Sequence, residues 1–119
     1  MYLRLTIRTF AIACLIFITA CGSLSVADGV TQMKATIVDV QKSVDSGDAN
    51  AAKQAAAELE ETWEKFEDQV KKENRQAYDQ IETPLHAIQS GAGSATLDKV
   101  ALKKSLQDLS AALELVNKK

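Results

Sequence analysis

The 119-residue chain is poor in the residues on which catalysis, metal binding and tight turns most often depend. It has one histidine, two cysteines, one proline and five glycines. A Ser/His/Asp or Cys/His nucleophilic site would have to use His86, and no serine stands in a nucleophile-elbow pattern. The inventory therefore argues against an enzyme. A β-rich fold is not expected either, because apolar and polar residues nowhere alternate over a sustained run.

The chain also lacks an excess of basic residues. It carries 14 Lys and Arg against 16 Asp and Glu, for a formal net charge of −2. No stretch of the sequence collects the Lys and Arg into a patch, which is the electrostatic signature of a nucleic-acid-binding domain. Nucleic acid is therefore not an expected partner.

The N-terminal part has the pattern of an export signal. Arg4 and Arg8 precede the apolar run Phe10–Ala20, in which Thr19 is the only polar residue. A basic segment followed by a short apolar run is typical of a signal peptide. The run is shorter than the roughly 20 residues that a transmembrane helix requires. We therefore expect residues 1–20 to be a cleaved signal peptide.

The residues before Cys21 predict which peptidase acts. An ordinary site has small residues at positions −3 and −1, and cleavage after Ala20 would place Ile18 at −3. The stretch Ile18-Thr19-Ala20-Cys21 instead resembles the lipobox of bacterial lipoproteins. That resemblance implies lipidation of Cys21 by acyl chains such as palmitate, and so a lipid-anchored protein on the extracytoplasmic side of the bacterial cell membrane or envelope. The alternative is a free cysteine behind an ordinary signal peptide.

The sequence after the signal divides into a tether and one domain. Residues 21–29 contain Cys21 and a run of small and polar residues, which predicts a flexible spacer. Residues 30–119 are long enough for one small domain. Cys14 would leave with the signal, so no disulfide is expected in the mature protein.

Apolar residues in the domain recur every three or four positions, which predicts amphipathic helices. Four such helices joined by short links are typical of an all-α, up-down-up-down four-helix bundle. The predicted segments are 28–46, 48–72, 74–90 and 98–117.

Short polar residues and glycines mark the ends of these segments. Asp48, Asn74 and Asp98 are placed to cap the starts of the second, third and fourth helices. Gly47 is placed to end the first helix. Residues 91–95 are small and predict the one clear loop.

Pro84 lies inside the third segment, and two interpretations are open. It could kink one continuous helix, at a cost of about 3 kcal/mol in helix propensity. Alternatively, Thr83 could cap a new helix with Pro84 at its first position. The apolar spacing keeps its phase across Pro84, which favours the kink.

Two rows of polar side chains are candidates for metal binding. Tyr78, Glu82 and His86 are spaced four apart and share one helical face, and two oxygens with an imidazole could bind Fe or Cu. The simpler interpretation of His86 is a half-exposed polar residue with no ligand. The sequence has no Glu-x-x-His motif of the kind that di-iron bundles use.

The second row consists of Glu60, Glu64 and Glu67, whose spacing also predicts one face. Such a row is most often a solvated surface. The alternative is a set of carboxylates that collects hard cations. Trp63, which lies within this stretch, is predicted to be a core residue because Leu59 and Phe66 continue its apolar stripe.

A larger pattern covers residues 47–88. It consists of Gly47-Asp48, Ala51-Ala52, Trp63-Glu64, Glu67, Val70, Tyr78, Ile81-Glu82 and Leu85. The pattern resembles the extracytoplasmic helical domain of bacterial ferric-iron permeases and the bundle components of elemental-iron uptake systems. The resemblance implies cation-handling roles for Glu67 and Glu82. The chain departs from those systems in having no Arg-Glu-x-x-Glu or His-x-x-Glu motif and no permease helices.

The expected function is therefore that of a lipoprotein with a helical-bundle domain that binds a cation, iron or another divalent or trivalent ion, in support of metal uptake. The candidate ligands are Glu67, Glu82 and His86. The expected partners are the membrane, through the lipid anchor, and a protein of the envelope or of metal uptake. The competing hypothesis is a non-enzymatic adaptor that binds another envelope protein and no ligand of its own.

Overall fold

The computed structural model describes residues 23–117, which form helices joined by short connections, with no strand in that range. The predicted signal peptide and Cys21 lie outside the described residues. The all-α prediction is confirmed for the described part. Its five helices are α1 (Val26–Ser46), α2 (Ala49–Glu64), α3 (Glu67–Glu73), α4 (Arg75–Ala92) and α5 (Lys99–Val116).

Among residues 23–117, no helix combines the length and the apolar character that a membrane-spanning segment needs. The helices are instead amphipathic, and each buries one face.

Helix α1 begins earlier than its sequence predicts. Ser25 caps it by accepting a hydrogen bond of 3.2 Å from the backbone N–H of Asp28. Residues 26–29, predicted as flexible tether, therefore form the first turn of the helix. The reason is the serine cap, which satisfies one of the free N–H groups at a helix start.

The predicted second helix, 48–72, is wrong as a single element. It is interrupted after Glu64, and α3 starts at Glu67. The N–H groups of Lys65 and Phe66 bond to carbonyls only three residues back, which tightens and ends the turn. The carbonyl of Lys65 accepts a hydrogen bond of 3.1 Å from the N–H of Leu24. The backbone N–H of Leu24, which precedes α1, thus satisfies the carbonyl of Lys65 at the interruption.

Helix α4 is continuous from Arg75 to Ala92 with Pro84 inside it, so the alternative of a new helix capped by Thr83 is wrong. Pro84 is buried, and packing therefore offsets its missing N–H. The helix runs two residues beyond the predicted end at Ser90.

The predicted caps are confirmed. Asp48, Asn74 and Asp98 each accept a hydrogen bond of 3.0 Å from the backbone N–H three residues further on. Gly47 ends α1 in the left-handed conformation, with a φ of 71°. Four of the five helices therefore have side-chain caps, and α3 has none.

The helices pack as a bundle. Helix α1 lies against α2 and α5, and α4 lies against α2, α3 and α5. Ion pairs join Lys34 to Glu114 and, at 2.7 Å, Lys103 to Asp45, so α1 and α5 run antiparallel. The largest fully buried side chains of the described part include Met33, Leu59, Trp63, Ile81, Leu85 and Leu109.

Candidate functional site around Trp63 and Glu82

The only tryptophan of the chain, Trp63, lies at the centre of the site and has no solvent exposure. Its ring meets Phe66 edge-on, with centroids 5.1 Å apart and an interplanar angle of 87°. The ring of Tyr78 lies on it at 5.8 Å with a tilt of 30°. The prediction that Trp63 is a core residue is confirmed, and the aromatic cluster joins α2, the α2–α3 junction and α4.

Glu82 connects this buried ring to the surface. The indole N–H of Trp63 donates a hydrogen bond of 2.6 Å to Oε1 of Glu82, whose side chain is 24% exposed. The other carboxylate oxygen, Oε2, lies 3.1 Å from Nε2 of His86. The imidazole is 68% exposed. One carboxylate thus links the core indole to a surface imidazole.

The predicted face of Tyr78, Glu82 and His86 is present on α4. Tyr78 and Glu82 both contact Trp63, so the face is turned toward α2. His86 lies at its exposed end and contacts Glu82.

The second predicted row is divided between two helices. Glu60 and Glu64 belong to α2, whereas Glu67 begins α3 beyond the interruption. Together with Glu82 of α4 they interact electrostatically, and we call these four carboxylates the acidic face. The face is therefore assembled from three helices rather than from one.

The folded structure disfavours the charged forms of two carboxylates of the acidic face, Glu60 and Glu67. Burial raises the pKa of Glu60, and the charges of Glu64 and Glu82 raise it further, whereas His86 lowers it. Burial also raises the pKa of Glu67, with added contributions from Glu82 and from its neighbour on α3, Asp68. Both carboxyls bind a proton more readily than an isolated glutamate does.

Glu60 carries the one polar side-chain atom of the described residues that is both buried and unpaired. Its Oε2 is shut off from solvent and has no hydrogen-bond partner. A buried acceptor without a partner costs about 1–3 kcal/mol, and more when it is charged. A proton or a cation on this oxygen would reduce that cost.

Tyr78 closes the side of the site nearest α3. Lys71 lies 5.2 Å and Arg75 5.7 Å from the centre of its ring, at cation–π distances. Burial raises the pKa of its phenol, and the charges of Glu82 and Glu67 add to that effect. The phenol therefore stays protonated at neutral pH, where it can donate and accept hydrogen bonds.

The predicted ligands Glu67, Glu82 and His86 are brought into the same region but not to one point. Both oxygens of Glu82 have contacts, one with Trp63 and the other with His86. Across residues 23–117, no three Asp, Glu, His or Cys side chains are placed close enough to hold a metal ion. Binding at this site would require side chains to change rotamer.

The sequence reasoning missed the bond between Trp63 and Glu82, although a signal for it existed. A buried indole N–H usually finds an acceptor, and Glu82 is the acidic residue on the inner face of the third predicted segment. The spacing also gave no sign of the hydrogen bond that the side chain of Gln89 in α4 donates to the carbonyl of Ala56 in α2. This bond joins the two helices.

Comparison with known proteins finds no match, whether with family models, with curated proteins or with solved structures.

Proposed function

We propose that the chain is a bacterial lipoprotein, anchored through Cys21, whose helical domain binds a cation at the acidic face as an accessory of metal uptake. The single observation that supports cation binding is the buried, unpaired Oε2 of Glu60. Burial and then the charges of Glu64 and Glu82 raise the pKa of Glu60, and His86 opposes them only in part. A cation would supply positive charge and also a partner for the oxygen.

The chemistry of the side chains favours a hard or borderline cation. Carboxylate oxygens suit hard ions, and the adjacent imidazole of His86 extends the range to iron. Iron is the first candidate because residues 47–88 resemble the helical domains of iron uptake systems. Glu60, Glu64 and Glu67 are free of the indole bond to Glu82, and we expect them to turn toward the ion. His86 and the Glu82 oxygen that contacts it complete the set.

The proposal includes an up-down-up-down arrangement, with α1, α2, α4 and α5 as the four long helices and α3 as an insertion between α2 and α4. The antiparallel ion pairs between α1 and α5 support it. So does the packing of α2 on α1 and of α5 on α4, because each pair is joined by a short connection.

Calorimetric titration with ferrous, ferric, cupric and calcium ions tests cation binding. We expect a saturable site, and a stability gain of about 2.7 kcal/mol at one hundred times its dissociation constant. Glu60→Gln should weaken binding by about tenfold or more, as loss of supporting groups does at metal sites. Glu58→Gln is the matched control, since it removes the same charge from an exposed position of α2. A flat titration with an unmoved thermal melt would reject cation binding.

A separate experiment tests the anchor. The wild-type chain and Cys21→Ser are expressed in bacteria fed a clickable palmitate analogue, and the membrane fraction is analysed by mass spectrometry. We expect label and membrane retention only with Cys21. An unlabelled, soluble product with a free thiol at residue 21 would indicate an ordinary secreted protein instead.

The adaptor hypothesis has less support from the surface. The large exposed apolar side chains of the described part are Val38, Val100 and Leu115. Val100 and Leu115 lie near opposite ends of α5, about 20 Å apart at 1.5 Å per residue. Val100 and Leu115 therefore do not belong to one patch. Cross-linking in membranes would reveal an adaptor partner if the titrations show no binding.

A further inference from the structure

Helix α3 is the least anchored element of the described fold. It has seven residues, well below the length at which an isolated helix is stable in water. It buries one side chain, Val70, and has no side-chain cap at its start. Its position must therefore come from contacts with the rest of the bundle.

Residues 24–29 contact the two residues that immediately precede α3. We call residues 24–29 the strap. The N–H of Leu24 donates to the carbonyl of Lys65 at 3.1 Å, immediately before α3. The ring of Phe66 lies against Gly29 so closely that a Cβ on that glycine would overlap it. Both strap contacts are made at the junction from which α3 leaves α2.

The same junction forms one wall of the Trp63 site. Phe66 is the edge-on neighbour of the indole, and Lys71 of α3 lies over the ring of Tyr78. Movement of α3 away from α4 would remove Lys71 from the ring of Tyr78, and a shift of the junction with it would remove Phe66 from the indole. It would also carry Glu67 away from Glu82.

We infer that α3 is a lid over the Trp63 site, that the strap holds it closed, and that displacement of the strap opens it. The lid opens as a unit between the Lys65–Phe66 junction and Asn74, while α2, α4, α5 and the part of α1 beyond Gly29 stay packed. The inference does not depend on cation binding. Because the strap is also the segment that leads toward Cys21, a pull on the N-terminus acts first on the lid.

Hydrogen exchange of the full-length chain in detergent tests the lid. In the wild type, the amides of Val70 and Asn74, which bond within this segment, should exchange faster than the interior amides of α2 and α4. Leu24→Pro removes the strap donor and should speed exchange in α3 by about fivefold, the worth of one ordinary hydrogen bond. Leu24→Ala is its control, because it keeps the N–H and loses only the side chain.

A second pair of variants tests the Phe66 contact. Gly29→Ala should abolish protection in α3 and make Trp63 fluorescence more sensitive to acrylamide, with α4 and α5 still protected. Gly91→Ala is the matched control, since its Cβ would meet Leu102, 2.7 Å away, on the α4–α5 side of the bundle. The lid is overturned if α3 exchanges as slowly as α2 in the wild type. It is equally overturned if Leu24→Pro and Gly29→Ala speed α3 no more than their controls do.

Discussion

The hydrogen bond between Trp63 and Glu82 should be a major determinant of stability. Trp63→Phe removes the indole donor and leaves Oε1 of Glu82 without its partner in a side chain that is only 24% exposed. A hydrogen bond to a charged group contributes about 1.5–3 kcal/mol. The smaller ring adds a packing loss of about 1 kcal/mol, well below that of a truncation to alanine. We expect a total destabilisation of about 2.5–4 kcal/mol, against an unfolding free energy of about 5–15 kcal/mol for a typical domain.

The matched variant is Glu82→Gln. Its amide oxygen still accepts the bond from Trp63, and it removes a charge that raises the pKa of both Glu60 and Glu67. We therefore expect its unfolding free energy to change by less than about 1 kcal/mol. In the double variant, Trp63→Phe should cost less than it does alone, because an unpaired amide is cheaper to leave in place than an unpaired carboxylate.

Urea denaturation at neutral pH, followed by far-ultraviolet circular dichroism, measures all four proteins, including those that lack the tryptophan. The double-mutant cycle then gives the interaction free energy between Trp63 and Glu82. The reasoning is refuted if Trp63→Phe lowers the unfolding free energy by less than about 1 kcal/mol, or if its cost is the same in the Glu82→Gln background as in the wild type.

Three further outcomes follow from the structure. The folded-state pKa of Glu60 is raised above its ordinary 4.5, so its contribution to stability is complete below that pH and is lost as the pH rises through the folded value. Glu60→Gln should therefore have a higher melting temperature than the wild type at neutral pH. A difference in melting temperature between the two proteins that is the same at acidic and neutral pH would contradict this. Gly47→Ala should cost about 1–2 kcal/mol in urea titrations because φ is 71°, whereas Gly93→Ala, at a φ of −82°, should cost less. Leu109→Ala should lower the unfolding free energy by about 2–5 kcal/mol through a core cavity, and Val100→Ala, at 80% exposure, by no more than about 0.5 kcal/mol. Similar urea midpoints for the two variants would show that Leu109 is not the core residue that its burial indicates.

Features encoded within one turn of helix were predictable from the sequence. The caps at Asp48, Asn74 and Asp98 need only residues three positions apart. The left-handed end at Gly47 is equally local. Apolar periodicity also predicted the buried position of Trp63, because the stripe runs through it on both sides.

The interruption between α2 and α3 was not predictable in the same way. The periodicity of Leu59, Trp63, Phe66 and Val70 continues through it, so the pattern favours one helix. The bond that satisfies the carbonyl there comes from Leu24, far away in sequence. A contact of that kind depends on the assembled bundle and leaves no local pattern.

In the candidate site too, the sequence predicted features within one helix but not the contact between helices. Spacing placed Tyr78, Glu82 and His86 on one face, as the contacts of these residues bear out. It could not show that the indole of Trp63 already engages Glu82, since α2 and α4 meet only in the folded chain. The roles of Glu67, Glu82 and His86 as ligands remain predictions.

The antiparallel pairing of α1 with α5 also bears on how the polypeptide can be rearranged. The ion pair between Lys34 and Glu114 joins the first half of α1 to the last turn of α5, so both ends of the described chain lie toward the same end of the bundle. A linker that spans the extra turns at the start of α1 could join residue 117 to residue 23, with new ends opened in the connection between α4 and α5. Such a circular permutant would keep every helix pair of the parent. The order of the helices along the chain is thus separable from their arrangement in space.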